Sequence, residues 1–367
     1  MTLRIGVLGA GQLGWMLALA GAPLGLRFRF VDPNPDAPAG RLAELIVADY
    51  EDPAALDALA ECDRVSYEFE SVPVAAVEAL GGRVLVCPGA RALGVAQDRA
   101  LEKAAFARLG IPTAEFLTVA SDPELERACA SLGLPAVLKT RRLGYDGKGQ
   151  VVLRRPQDIA GAFDAIGRAP AILERLVPFD RELSVIAVRS ERGEIRSYGL
   201  TENTHRDGIL HLSLAPAPNV TPALERRAGE IIGALLEELD YVGVLALELF
   251  QVGSDLLANE MAPRVHNSGH WTIDGARTSQ FENHLRAVCG LPLGATDALG
   301  PAGMLNLVGH VPPARELLAI EDAHLYDYGK APRPRRKVGH LTVRGPTLEA
   351  VRNRLAVAEQ SLAKSSG

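Results

Sequence analysis

The chain has 367 residues, 47% of them hydrophobic and 23% charged, with a formal net charge of −6. That length accommodates two or three domains with ample core, and the negative balance argues against a general nucleic-acid binder, which would carry a basic stripe. Cys62, Cys87, Cys129 and Cys289 are widely spaced and include no C-x-x-C pair, so neither a zinc site nor a disulfide framework is expected, and a reducing cytoplasm fits.

In chain order, Leu3 to Leu8 reads as a buried parallel strand and Gln12 to Ala20 as the helix that follows. The uncharged run from Ile5 to Leu26 is long enough to imitate a membrane span. Six glycines interrupt it, however, and strand, turn and helix account for it better. No membrane association is expected. Arg27 to Val31 reads as the second strand, ending at Asp32, and Leu42 to Ala48, Arg64 to Phe69 and Arg83 to Cys87 as further strands. Strands alternating with helices predict a doubly wound parallel sheet, closing near Pro88 to Ala96.

A second unit opens at Gln97 with an alanine-rich helix to Leu109. Strands at Ala136 to Lys139 and Gln150 to Leu153 flank a glycine-rich loop, and Ala171 to Glu174 leads into a larger half. That half holds strands at Glu182 to Val188 and Ile195 to Tyr198, a helix from Thr221 to Leu239, and a hairpin. Short strands follow around Leu305 to Val308 and Val338 to Val343, with a basic linker before the latter. The expected class is multidomain, α/β and α+β, divided into residues 1–96, 97–300 (with a small subdomain at about 113–177) and a β-rich 301–367.

The hairpin carries the most informative residues. Val244 to Phe250 is apolar except for Glu248, and Leu256 to Glu260 rises after a turn at Gly253-Ser254-Asp255. If that turn centres near Ser254, Glu248 and Glu260 face each other. Two like charges repel, and burial adds a desolvation cost. A hard divalent cation such as Mg²⁺, which takes a few carboxylates plus phosphate oxygens, is the usual remedy. The following Met261 to Trp271 is rich in cationic and hydrogen-bonding side chains, and reads as an anion-binding loop.

Gly9-Ala10-Gly11-Gln12-Leu13-Gly14 fits G-x-G-x-x-G, with Asp32 ending the next strand. It reads as a dinucleotide fingerprint, as a tight turn, or as a helix N-terminus for another phosphorylated ligand. The loop Gly144-Tyr145-Asp146-Gly147-Lys148-Gly149-Gln150 is not a Walker A motif, because Gln150 follows Gly149. Its backbone N–H groups can still fold over phosphates, as in kinases, and Lys139, ending an apolar strand, requires an anionic partner. Glu174 and Glu182 read equally as nucleotide contacts and as surface charges. Arg333, Arg335, Arg336 and Lys337 read as a solvated loop or a substrate-phosphate site, and His205 as a loop histidine. The sequence has no G-x-S-x-G, no H-E-x-x-H and no nucleophilic cysteine context.

These landmarks together resemble the ATP-grasp ligases, and within them the 5-(carboxyamino)imidazole ribonucleotide synthases of purine biosynthesis. The resemblance rests on GAGQLG at Gly9, YEFE at Tyr67, GYDGKGQ at Gly144, HRDGIL at His205, NEMAPRVHNSGHW at Asn259 and RKVGH at Arg336, in that order. It implies ATP held by Arg99, Lys139, Gly144, Tyr145, Asp146, Gly147, Lys148, Gly149, Gln150, Glu174, Arg175, Leu176, Val177, Glu182, His205, Asn259 and Glu260. It implies Mg²⁺ (or Mn²⁺) on Glu248 and Glu260, and the aminoimidazole ribonucleotide at Gly11, Gln12, Leu13, Glu70, Lys330, Arg336 and Lys337. Arg264, His266, Asn267 and Ser268 are the implied catalytic residues, bicarbonate the second substrate, and a cytoplasmic homodimer the implied assembly. One departure stands at Arg141-Arg142-Leu143, where relatives place a small residue before Gly144. The alternatives are a formate-dependent glycinamide ribonucleotide transformylase-like ligase, a nicotinamide-dependent oxidoreductase and a non-enzymatic nucleotide-binding regulator.

Overall fold

A computed structural model describes residues 3–144 and 147–364; the expectations at Tyr145 and Asp146 lie outside the described residues. The N-terminal sheet is parallel, in the spatial order Glu44–Val47, Arg27–Asp32, Arg4–Leu8, Arg64–Tyr67. Ile5, Val7, Leu8, Phe30 and Val31 are fully buried, as in a sheet covered on both faces. The uncharged run divides into the strand Arg4–Leu8, the helix Gln12–Gly21 and a 3-10 turn at Ala22–Leu24. Among the described residues no helix is long and apolar enough to cross a membrane.

Two expected elements come out differently. Arg83 to Cys87 is not a full strand. Val65 exchanges hydrogen bonds with Leu85 and Cys87 and makes one parallel bridge with Val86, and then Pro88, which has no N–H to donate, turns the chain away. The helix expected from Gln97 begins two residues later, as Arg99–Arg108, and a separate helix, Ala90–Ala96, precedes it. Asp98 marks the boundary, because its carboxylate caps the second helix by accepting the N–H of Ala100 at 3.0 Å.

The small subdomain is an antiparallel sheet ordered Phe116–Val119, Ala171–Arg175, Ala136–Thr140, Gln150–Leu153. It has its own core, in which Leu125 and Leu132 of the helix Asp122–Leu132 meet Leu138, Leu153 and Phe163. Asp98 ties it to the body, accepting from Arg141 at 3.0 and 2.8 Å and from Arg142 at 3.2 Å.

Among the described residues the central sheet has nine antiparallel strands. Asp255–Ala262 lies at one edge, followed by Gly243–Val252, Arg181–Arg189, Thr201–Arg206, Ile209–Ala215, Ala302–Val308, Lys337–Arg344 and Ala323–Asp327, while Ile195–Ser197 also pairs with Arg181–Arg189. His205 is therefore on a strand, not in a loop, and the last three strands extend this sheet without forming another. The helix Pro222–Glu238 is capped by Thr221, with proline at its first position. It buries Leu224, Ala228, Ile231, Ile232, Leu235 and Leu236 as one stripe against the sheet. The helix Leu348–Lys364 covers the other end through Val351, Leu355 and Ala358.

Candidate active site

Gly253 and Ser254 make a two-residue turn, with Gly253 at φ +59°. Val252 opposes Asp255 and Leu249 opposes Ala258, a register that alone sets Glu248 against Asn259. The pairing then slips, so that Leu247 opposes Met261. This bulge places Asn259 and Glu260 together opposite Glu248. The bulge, not a turn centred on Ser254, brings the two glutamates level.

The pair is electrostatically unequal. Glu260 accepts from Arg99 Nη1 at 2.6 Å; burial opposes its ionisation, but Arg99 holds the carboxyl below the ordinary range. Burial and then the neighbouring Glu260 push Glu248 up, against the pull of His205 and Lys337, with His266 Nε2 at 3.4 Å from its Oε1. Among the described residues, Oδ1 of Asn259 is buried without a hydrogen-bond partner. Two carboxylates and an orphaned amide oxygen form an all-oxygen donor set suited to a hard divalent cation.

Lys139, Glu174 and Lys103 form a second charged group. Glu174, 3% exposed, is ion-paired to Lys139 at 2.5 Å and to Lys103 at 2.8 Å. Burial alone would raise its pKa, but the two lysines hold it to about 2. The carboxylate is thus engaged within the protein and fixes Lys139, which lines the cleft. Lys103 was not anticipated; it is 1% exposed and also donates to Thr113 Oγ1 and the Asn259 carbonyl. Its neighbour Glu102 accepts the N–H of Met261 at 2.6 Å, and burial lifts its carboxyl to about 8. Adjacent opposite charges on a helix ordinarily read as a solvated face, and only their position under the hairpin reveals them.

All three parts of the chain open onto one cleft of about 1030 Å³. Gln12, Leu13 and Glu70 line it from the N-terminal sheet, and Lys139, Gly144, Gly147, Lys148, Gln150 and Leu176 from the small subdomain. Glu182, His205, Glu248, Asn259, Glu260, Arg264, His266 and Asn267 line it from the central sheet and the segment after the hairpin, and Lys330, Arg336 and Lys337 from the C-terminal part. An adjoining recess of about 230 Å³ is bounded by Glu70, Arg99, Glu248, Glu260, Arg264 and His266.

This three-part order has counterparts among known proteins. Residues 1–97 match the ribonucleotide synthetase preATP-grasp domain, 104–281 the ATP-grasp domain, and 302–354 the phosphoribosylaminoimidazole carboxylase C-terminal domain. The N5-carboxyaminoimidazole ribonucleotide synthase of Pseudomonas aeruginosa is 55% identical over 97% of this chain and 99% of its own length. The chain belongs to the N5-carboxyaminoimidazole ribonucleotide synthase family. The crystal structure of the synthetase from Thermus thermophilus matches with a TM-score of 0.93 at 55% identity, covering 97% of this chain and 98% of that one. A synthase from Aspergillus clavatus, in complex with ADP and 5-aminoimidazole ribonucleotide, matches with a TM-score of 0.92 at 31% identity and 99% coverage of each chain.

Within the synthase family's frame, the remaining expected residues divide into those that face the cleft and those that act behind it. His205 and Glu182 are hydrogen-bonded to each other; burial disfavours the imidazolium, but Glu182 raises the His205 pKa. Arg264 donates to Glu70, whose ionised form it favours against burial. Burial, with Arg264 and Lys337, keeps His266 neutral. Lys330 donates to Gln12, and burial lowers it to about 8. Asn267 and Asn306 exchange amide hydrogen bonds at 3.0 and 2.7 Å. Arg175 is exposed and bonded to Glu115, Val177 and Gly149 do not line the cleft, and Ser268 is wholly buried behind His266.

Gly11 also stands behind the cleft. Its N–H donates to Glu68 Oε1 at 2.6 Å, and that of Gly14 to Glu68 Oε2 at 2.9 Å. A Cβ on Gly9 would lie 2.5 Å from Glu68 Cγ, and one on Gly11 would lie 2.5 Å from Glu68 Oε1. The glycines of the fingerprint admit this carboxylate.

Proposed function

We propose that the chain carboxylates the exocyclic amine of 5-aminoimidazole ribonucleotide, using ATP and bicarbonate and yielding the N-carboxylate, ADP and phosphate, a step toward IMP. The observation that carries this reading is the single cleft where Glu248 and Glu260 meet Arg99, Lys139, Arg264 and His266, in a chain of full-length kinship to a synthase of that activity. Bicarbonate is a poor electrophile because its oxygen leaves badly. Its oxygen attacks the γ-phosphorus, ADP departs, and the resulting carboxyphosphate carries phosphate as a good leaving group. The amine nitrogen then forms its bond to carbon as the C–O bond to phosphate breaks, or attacks CO₂ released from carboxyphosphate.

Glu248, Glu260 and Asn259 Oδ1 fit Mg²⁺ (or Mn²⁺), which when bound neutralises charge on the transferring phosphoryl group. Lys139, held by Glu174, supports the phosphoryl oxygens beside Arg99. Glu182, His205, Leu176, Gly144, Gly147, Lys148 and Gln150 form the nucleotide end, with Glu174, Arg175, Val177 and Gly149 shaping it from behind. Gln12, Leu13, Glu70, Lys330, Arg336 and Lys337 receive the ribonucleotide, and Gly11 fixes their turn. Arg264, His266 and Asn267, backed by Ser268, hold the labile intermediate away from water.

We divide the chain at 1–96, 97–300 (small subdomain at about 113–177) and 301–367, close to the matched family segments. A homodimer in a reducing cytoplasm accompanies the reading; the free thiols of Cys62, Cys87, Cys129 and Cys289 agree with the latter. The deciding experiment measures ADP release with Mg²⁺ while bicarbonate, formate and the ribonucleotide are omitted in turn. Dependence on bicarbonate and the ribonucleotide supports the proposal; dependence on formate selects the transformylase-like ligase instead.

A further inference from the structure

Behind the cleft, four buried polar side chains form an unbroken line into the sheet. Ser184, Ser213 and Ser268 are 0% exposed and Asn203 is 6% exposed. Asn203 opposes Ser213 across one strand pair, and Ser184 opposes Glu248 across another, so the line shares the face that carries Glu248. Short polar groups in a sheet interior are costly unless every one is satisfied. Here the satisfied pattern has a direction. Ser213 Oγ donates to Asn203 Oδ1 at 2.8 Å, and Asn203 Nδ2 donates to Ser184 Oγ at 2.9 Å. Ser184 then gives its one proton to Ser268 Oγ at 2.8 Å. The proton of Ser268 is left for His266 Nδ1, 2.9 Å away.

The Ser268 backbone N–H reaches the same nitrogen at 3.3 Å. Two donors aimed at Nδ1 require it to be the unprotonated ring nitrogen. The imidazole proton is therefore on Nε2, which faces Glu248 at 3.4 Å on the cleft side.

We propose that Ser213, Asn203, Ser184 and Ser268 are positioning residues that fix His266 as a neutral Nε2–H donor, aimed at the oxyanion that develops beside Glu248. His266 then hydrogen-bonds the carboxyphosphate or phosphoryl oxygen and does not accept the proton of the attacking amine. This rests on the carboxylation reading above for the identity of the oxyanion, while the tautomer itself rests on the hydrogen bonds alone.

The test separates the two. In ¹⁵N-histidine-labelled protein, with the His266 signals assigned through a His266→Gln control, the ring nitrogens should show the Nε2–H tautomer. An Nδ1–H or doubly protonated ring overturns the proposal, whatever the enzyme's substrate. Asn203→Asp replaces the donor amide by an acceptor of the same shape, so Ser184 and Ser268 reverse and Nδ1 must donate. That variant should switch the tautomer and lower kcat by roughly tenfold to a hundredfold, the usual cost of disturbing an outer hydrogen-bond partner, with KM for ATP within about twofold. A folded variant with unchanged tautomer and kcat overturns the proposal. If the aspartate prevents folding, Ser184→Ala decides: it should lower kcat with KM for ATP unchanged, and an unchanged kcat overturns the assignment. Loss of bicarbonate dependence in the unaltered protein would instead refute the carboxylation reading and leave the tautomer result standing.

Discussion

The carboxylate of Glu68 accepts the N–H of Gly11 at 2.6 Å, filling the anion-binding turn at the start of the first helix with the protein's own charge. Glu68 is only 6% exposed, and Gly14 supplies its second donor. A dinucleotide pyrophosphate would have to displace it. NADH titration should therefore give no fluorescence change. Glu68→Gln turns an amide NH₂ toward a backbone N–H and should destabilise the fold by about 1–3 kcal/mol, the cost of leaving a buried donor unpaired. A urea midpoint equal to that of the parent would refute this account of the glycines.

Glu260→Gln should reduce ADP formation by roughly a hundredfold or more, since it weakens the oxygen donor set and strips Arg99 of its counter-ion at 2.6 Å. Thermal melting should show that the fold survives. Near-normal turnover would remove Glu260 from the proposed metal site.

Glu174 makes stability dependent on acid. Its folded-state pKa lies near 2, below the ordinary 4.5, so its contribution is complete above about pH 4.5 and fades as pH falls toward about 2. Unfolding free energy measured by urea titration should decline through that window. Glu174→Gln should flatten the decline and cost about 3–5 kcal/mol at neutral pH, because Lys103 is left buried without an anion. An unaltered acid profile in the variant would show that other carboxylates dominate.

Lys330→Ala and Lys337→Ala should each raise KM for the ribonucleotide by roughly tenfold while shifting KM for ATP much less, a loss of about 1.4 kcal/mol in binding. Both lysines line the cleft, and Lys330 donates to Gln12 on the N-terminal turn. Steady-state kinetics with each substrate varied separately is the check, and equal effects on both constants would relocate the substrate-phosphate site.

Much of this site was legible because its chemistry is local. The glycine-rich loop, the strand ending at Lys139 and the hairpin with two glutamates all declare themselves by neighbours in sequence. What stayed hidden depends on register and on distant partners. The slip between Leu247 and Leu249 has no sequence marker, yet it decides which face Glu260 occupies. Lys103 reads as a solvated helix residue until Glu174, far along the chain, is found against it at 2.8 Å. Ser184, Asn203 and Ser213 are small polar residues within strands, and only the sheet order aligns them. Arg83 to Cys87 misled in the other direction, because an apolar run need not stay beside its neighbour long enough to become a strand.

One backbone ladder runs strand by strand from Glu260 on the hairpin to Lys337 and beyond. On the proposed assignment, the glutamate hairpin and the basic residues for the ribonucleotide are thus gauged against a common ruler. Among the described residues the small subdomain and the N-terminal parallel sheet, each a separate sheet, stand outside that ruler. The spacing between Glu260 and Lys337 is consequently set when the central sheet folds, before either substrate arrives. Cutting away the last three strands should cost the enzyme its alignment of ATP as well as its ribonucleotide site.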